Sequence, residues 1–101
     1  MKEVKQVKIA KGMKVDELVR IMGETGVMGS GRLGKSVDIC EMMIKDKDCK
    51  VFLGIAGALV PGGMRELLIE AIENKWIDVV VTTGANLTHD LVEALGHHHY
   101  Q

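Results

Sequence analysis

The sequence predicts an α/β protein with a parallel sheet and flanking helices. Two observations carry this. From residue 51 onward, short β-branched or apolar runs alternate with amphipathic ones in the order β-α-β-α. Each β run then empties into a turn of small residues, 56–63 and 82–85, that leads straight into a helix. Strand–turn–helix units of this kind aim backbone N–H groups at anionic ligands. Residues 79–90, Val-Val-Val-Thr-Thr-Gly-Ala-Asn-Leu-Thr-His-Asp, are the fullest example.

Composition narrows the field. The 101 residues suffice for one small domain, spanning 1–101, and the 47% hydrophobic content argues against disorder. Only 3% of residues are aromatic, so the core must come from aliphatic side chains and methionine. A net charge of -1 gives no reason to expect a nucleic acid or an anionic membrane surface as partner. No apolar run reaches the ~18–20 residues that span a bilayer. The N-terminus carries no apolar segment of the signal-peptide kind. Cys40 and Cys49 read as reduced thiols, which fits a cytoplasmic protein.

Along the chain, residues 4–10 alternate as a short edge strand with lysines on the wet side. Residues 15–22 form a helix, with Val15, Leu18, Val19 and Met22 in an i, i+3, i+4, i+7 stripe. Residues 23–31 hold four glycines and read as a loop. Residues 33–45 are the next helix, with Leu33, Val37, Cys40 and Ile44 on its inner face. Residues 51–55, apolar on both faces, are a strand of a covered parallel sheet.

Pro61 sits where a first-turn helix proline belongs. Residues 64–74 follow with Met64, Leu67, Leu68, Ala71 and Ile72 inward and Arg65 facing away. Residues 76–81 are the second strand. Residues 86–95 are the last helix, with Leu87, Leu91, Ala94 and Leu95 inward and Gly96 as its stop. A helix between the two strands makes them parallel, with a right-handed crossover. The turn glycines recur 27 positions apart, at Gly57 and Gly84.

Four features invite a chemical reading. Gly29-Ser30-Gly31-Arg32-Leu33-Gly34 matches the spacing G-x-G-x-x-G. It lacks the preceding strand and the acidic residue ~20 positions on that a dinucleotide site needs, and reads as accidental. The turn 56–63 can admit a phosphate or adenosine against its backbone, or can be a tight crossover with no ligand; both readings stand. The turn 82–86 is richer: Thr83 can hydrogen-bond a ligand, Gly84 allows close approach, and Asn86 can cap the helix. His89 and Asp90 fall in that helix's first turn, where a neutral histidine could act as acid, base or donor, or simply be solvated. The run His97-His98-His99 reads either as a metal cluster or as the remnant of a purification tag; three consecutive histidines do not converge on one ion in regular geometry, and a tag normally has more.

These residues together resemble the N-terminal part of the deoxyhypusine synthase family. The matching pieces are Thr25-Gly26 with Leu33-Gly34 and Val37, then Val51-Phe52-Leu53-Gly54 and Gly63-Met64-Arg65. Ile77-Asp78-Val79-Val80-Val81-Thr82-Thr83-Gly84 and Asp90-Leu91-Val92-Glu93-Ala94-Leu95 complete the match.

The resemblance implies a Rossmann-like fold, an NAD cofactor and a homotetramer with active sites between paired subunits. It implies oxidation of spermidine to an enzyme-bound imine and transfer of its aminobutyl group to one lysine of the initiation factor 5A precursor. It places the first NAD contact on Gly57, Ala58, Leu59, Val60 and Pro61, and the second on Thr83, Gly84 and Ala85. The polyamine contact falls on Thr88 and His89.

The chain departs from the family in three places. Gly57-Ala58 stands where the family usually has Ser-Asn, and Thr88-His89 where it has an acidic pair. The second change favours another amine, since carboxylates are what a buried ammonium needs. The family's catalytic lysine lies far downstream of residue 101. The sequence therefore reads as the N-terminal portion of such an enzyme, inactive alone, with an unpaired apolar sheet edge and poor stability. The alternative is a non-catalytic nucleotide-binding or assembly half that works with a second chain.

Overall fold

A computed structural model describes residues 2–100. The chain divides into two compact units, Met1–Asp46 and Lys47–Gln101, each of which is described by itself.

The first unit is a helical hairpin of α1 (Val15–Thr25) and α2 (Met28–Lys45). The Lys14 backbone N–H donates to Glu17 Oε2 at 3.0 Å, which satisfies one orphan donor at the start of α1. Gly26 ends α1 in the left-handed region at φ 68°, and its N–H donates to Gly23 O. The predicted 23–31 loop is thus only Gly26 and Val27, and most of its glycines are helical. Gly23 and Gly31 are there for close approach, as is Gly34 further along α2. A Cβ on Gly34 would lie 2.2 Å from Gly23 Cα, and one on Gly31 would lie 2.6 Å from Gly26 C. The helices cross backbone to backbone, which only glycine permits. Thr25, buried beside this crossing, donates from Oγ1 to Met22 O at 2.8 Å and lies 3.2 Å from Ser30 Oγ. Of the glycines at 29–34, Gly31 and Gly34 are explained by helix packing, while a Cβ on Gly29 would meet nothing within 4 Å.

The expected edge strand at 4–10 does not form. Residues 2–10 are exposed and without regular structure. Their alternation meets no partner strand, and a lone strand leaves its backbone groups unpaired. The expected inner face of α2 is also corrected: Leu33, Val37 and Ile44 are 46%, 44% and 44% exposed, and Cys40 is exposed too. The buried positions of α2 are Gly31 and Gly34.

The second unit runs β1 (Phe52–Ile55), a five-residue π-helical turn (Val60–Met64), α3 (Arg65–Glu73), β2 (Val79–Thr82) and α4 (Gly84–Ala94). The predicted β-α-β-α order holds, and β1 and β2 pair in parallel, Phe52 with Val79 through Ile55 with Thr82. This register is the 27-residue spacing of the turn glycines: each residue pairs with the one 27 positions on. Asp78 locks the start of the ladder. Its carboxylate accepts from the Val51 N–H at 2.8 Å and from Lys50 Nζ at 3.0 Å. These bonds, the Val51 one foremost, hold Asp78 below the usual carboxylate range.

Pro61 occupies the first turn of the π-helical segment, as expected, and Gly63 at φ 88° kinks the backbone before α3. The second strand is shifted from the expected 76–81 to Val79–Thr82, and α4 begins two residues before the expected Asn86, at Gly84. Gly96 follows α4 at φ 84° as its stop.

The core of the second unit is thin. Ile55 and Val60 are its buried apolar residues, with Asn86 buried beside them. The faces expected inward are largely bare: Leu67, Leu87, Leu91 and Leu95 are exposed, as is Phe52 of β1. Two four-residue strands and two short helices do not enclose the apolar area that the periodicity supplies.

Candidate functional site

The parallel pairing puts the carboxyl ends of β1 and β2 side by side, so both small-residue turns leave the sheet at one edge. The two turns meet closely. A Cβ on Gly57 would lie 3.8 Å from Thr83 Oγ1. Ligands of open α/β sheets sit at this end of the strands.

Asn86 holds the turns together. It is 3% exposed, and its side chain spends all three bonds inside the unit. Nδ2 donates to Ala56 O at 2.8 Å and to Thr82 Oγ1 at 3.0 Å, while Oδ1 accepts from the Val60 N–H at 3.4 Å. Thr82 Oγ1 in turn donates to Ile55 O at 3.4 Å. The expected capping role of Asn86 is therefore wrong. With α4 starting at Gly84, Asn86 lies inside the helix and reaches across to the first turn. Thr83 is the cap residue, extended at φ -83° and ψ 154°, and its side chain makes no capping bond. The leading N–H groups of α4 therefore gain no acceptor from the cap residue's side chain.

The glycines of this edge are not demanded by the chain's own packing. Around Gly84 and Gly62 a Cβ would meet nothing within 4 Å, and neither glycine has a positive φ. Ala58 shows the reverse: it holds φ 72°, a conformation that glycine or asparagine takes with less strain.

Of the residues expected at a ligand, Gly57, Ala58, Leu59, Val60 and Pro61 lie in the first turn and its π-helical continuation. Thr83, Gly84 and Ala85 lie at the entry to α4, and the two groups are neighbours across the sheet edge. Thr88 and His89 lie further along, in the second turn of α4, which corrects the first-turn placement of His89 and Asp90. The Thr88 hydroxyl donates back to Gly84 O at 3.0 Å. His89 Nδ1 is 2.9 Å from His99 Nε2, and His99 Nδ1 is 2.7 Å from Glu93 Oε1.

A pocket of about 150 Å³ lies beneath the edge, lined by Ile55, Val60, Leu68, Val80 and Asn86 among others. Val60 is the only expected ligand residue in its wall. Its polar end is Arg65 with Asp90, paired Nε to Oδ1 at 2.7 Å. Arg65 was expected to face away. It instead turns in to Asp90, and that bond raises its already high pKa. Periodicity along one helix cannot register an ion pair to another.

Among the described residues no group of three or more histidine, cysteine or acidic side chains is arranged to hold a metal. Cys40 and Cys49 are free thiols. No helix among the described residues is long and apolar enough to cross a membrane.

Comparison with known proteins follows the same landmarks. The deoxyhypusine synthase family model matches residues 17–101. A probable deoxyhypusine synthase of Methanothermobacter thermautotrophicus is 44% identical over 98 residues, covering 97% of this chain and 32% of that protein. One from Methanosarcina thermophila is 50% identical over 98 residues, covering 97% of this chain and 31% of the relative. A third, probable deoxyhypusine synthase 1 of Archaeoglobus fulgidus, is 46% identical over 88 residues, 87% of this chain and 29% of its own length. The chain spans about a third of the length of the curated relatives it matches. With both turns, both strands and the helices between them inside the matched region, the chain belongs to the deoxyhypusine synthase family.

Proposed function

We propose that residues 1–101 are the N-terminal portion of an NAD-dependent, deoxyhypusine synthase-like aminobutyl transferase with a Rossmann-like nucleotide site. The observation that carries this reading is the edge where the two turns meet. Gly62 and Gly84 face open space there, and the Thr83 side chain does not cap the leading N–H groups of α4. A glycine that neither backbone conformation nor internal packing requires leaves room for a ligand, and uncapped helix N–H groups favour its phosphates. Gly57, Ala58, Leu59, Val60 and Pro61 would line one side of NAD, and Thr83, Gly84 and Ala85 the other. NAD, when bound, supplies a hydride acceptor for amine oxidation. Asn86 would keep both turns in register, and the Thr83 hydroxyl would donate to or accept from the ligand.

The substrates in this reading are spermidine and one lysine of the initiation factor 5A precursor, in the cytoplasm and in a homotetramer. The exposed apolar faces of α3, α4 and β1 would be covered by the polypeptide that makes up the rest of the relatives' length, which also supplies the catalytic lysine. One observation favours a second reading within the class. Thr88-His89 replaces an acidic pair, so a different amine is accommodated. A nucleotide-binding or assembly half completed by a second chain has the same edge and differs only in where the remainder is encoded.

The test is calorimetric titration of the 101-residue chain with NAD, with its mass in solution read by light scattering. Saturable binding that is lost in Gly84→Val supports the site. A folded chain that binds no NAD overturns its assignment to this edge.

A further inference from the structure

We propose that Glu93, His99 and His89 form a hydrogen-bonded proton relay that holds Nε2 of His89 as a basic nitrogen for a protonated alkylamine. With both imidazoles neutral, the protonation pattern follows from the contacts. Glu93 Oε1 lies 2.7 Å from His99 Nδ1 and 3.3 Å from the His99 backbone N–H, and Oε2 lies 3.4 Å from His98 Nδ1. These bonds, the His99 ring foremost, keep Glu93 below the usual carboxylate range, so it is an acceptor and His99 Nδ1 carries a proton. A neutral His99 then has a bare Nε2. That atom is 2.9 Å from His89 Nδ1, which must donate to it. The proton of neutral His89 is thereby fixed on Nδ1, leaving Nε2 bare, and no hydrogen bond among the described residues occupies it.

This is the logic by which a carboxylate sets the tautomer of a catalytic histidine, extended by one imidazole. It also moves charge. When His89 Nε2 takes a proton from an ammonium group, the proton on His89 Nδ1 passes to His99 Nε2. The amine is left neutral, two protons have moved and none is lost. The positive charge comes to rest on His99, against the Glu93 carboxylate. His99 and Glu93 are positioning residues, and His89 is the group that faces the ligand. The geometry supplies at one remove the carboxylate that the Thr88-His89 pair itself lacks. The rings sit 4.9 Å apart at 65°, so the donated bond and an edge contact act together.

The relay stands on these contacts alone. The choice of an amine as ligand rests on the transferase reading above. The test is long-range ¹H–¹⁵N correlation spectroscopy of the histidine rings in the 101-residue chain. The expected result is both His89 and His99 as Nδ1–H tautomers, the minority form in free histidine. His99→Phe should return His89 to the Nε2–H form. His99→Gln, whose amide oxygen can accept from His89 Nδ1, should restore the Nδ1–H form, which a merely structural role for His99 would not produce. Backbone amide spectra confirm that each variant is folded. His89 found as Nε2–H in the parent chain, or unchanged in His99→Phe, overturns the relay. Addition of n-butylammonium chloride should then move the His89 ring nitrogens in the parent and not in His99→Phe. No movement in the parent overturns the amine assignment while leaving the tautomer result in place, and neither outcome depends on NAD.

Discussion

A Cβ on Gly34 in the α1–α2 hairpin would be driven to 2.2 Å from Gly23 Cα, whereas one on Gly84 at the head of α4 would find nothing within 4 Å. Both glycines lie in helices; Gly34 belongs to a glycine-rich stretch, and Gly84 is the single glycine of the turn 82–85. The first is held by the chain's own packing and the second is not. In the hairpin, glycine serves stability, because two backbones occupy the space that side chains would fill. At the sheet edge it serves access. A glycine motif therefore has no meaning until its neighbours are known: residues 29–34 fit a nucleotide pattern and pack a hairpin, while residues 82–85 fit no named pattern and stand open.

The comparison is most exposed to substitution at Gly34. Gly34→Ala should destabilise the hairpin by about 3 kcal/mol, the upper end for overpacking, because the obstacle is backbone that cannot rotate away. Urea unfolding followed by circular dichroism reads it. An unchanged midpoint would mean that the helices do not cross at Gly23 and Gly34.

In the second unit the corresponding weak point is a side chain. Asn86→Ala removes the partner of Ala56 O, Thr82 Oγ1 and the Val60 N–H, and should cost about 2 kcal/mol through unsatisfied buried groups. Hydrogen exchange should show faster opening at residues 56–60 and little change in the hairpin.

Gly84→Ala separates access from stability. It should leave the unfolding midpoint unchanged or slightly higher, since alanine favours a helix, yet weaken NAD binding about tenfold, ~1.4 kcal/mol. Calorimetry beside a thermal melt decides it. A large stability loss would place Gly84 in the same class as Gly34.

Ala58→Gly should raise stability by about 0.5–1 kcal/mol by relieving the positive φ, less the entropy that glycine adds to the unfolded chain. Asp78 gives the smallest effect and a definite sign. Its folded pKa is depressed, so its contribution is complete above the unfolded value of about 3.9 and fades as pH falls through the folded one. Asp78→Asn should lower stability at neutral pH and flatten the acid limb of a stability–pH curve.

Much of the second unit was legible in the sequence. The β-α-β-α order, the parallel pairing, Pro61 in a first helical turn and Gly96 as a stop all follow from period and turn chemistry. The same local rules misjudged residues 4–10, where alternation found no partner strand, and residues 23–31, where glycine density meant packing. Of the site, the two turns were legible and the linkage between them was not. Asn86 next to a helix start has the local signature of a cap, and its bond to Ala56 O spans 30 positions. Arg65 and Asp90 likewise sit 25 positions apart, and His89 meets His99 only because the chain folds back after Gly96.

The sequence by itself determined the family, the alternation of strand and helix, and the parallel pairing of the two strands. These are properties of local propensity and spacing, which survive without knowledge of neighbours. Only the tertiary structure decided which glycines are packed and which are open. It also decided that Asn86 is a staple, and that a carboxylate and two imidazoles line up at the end of α4. Those are contacts between distant residues, and their worth depends on burial and geometry that no single stretch of sequence contains.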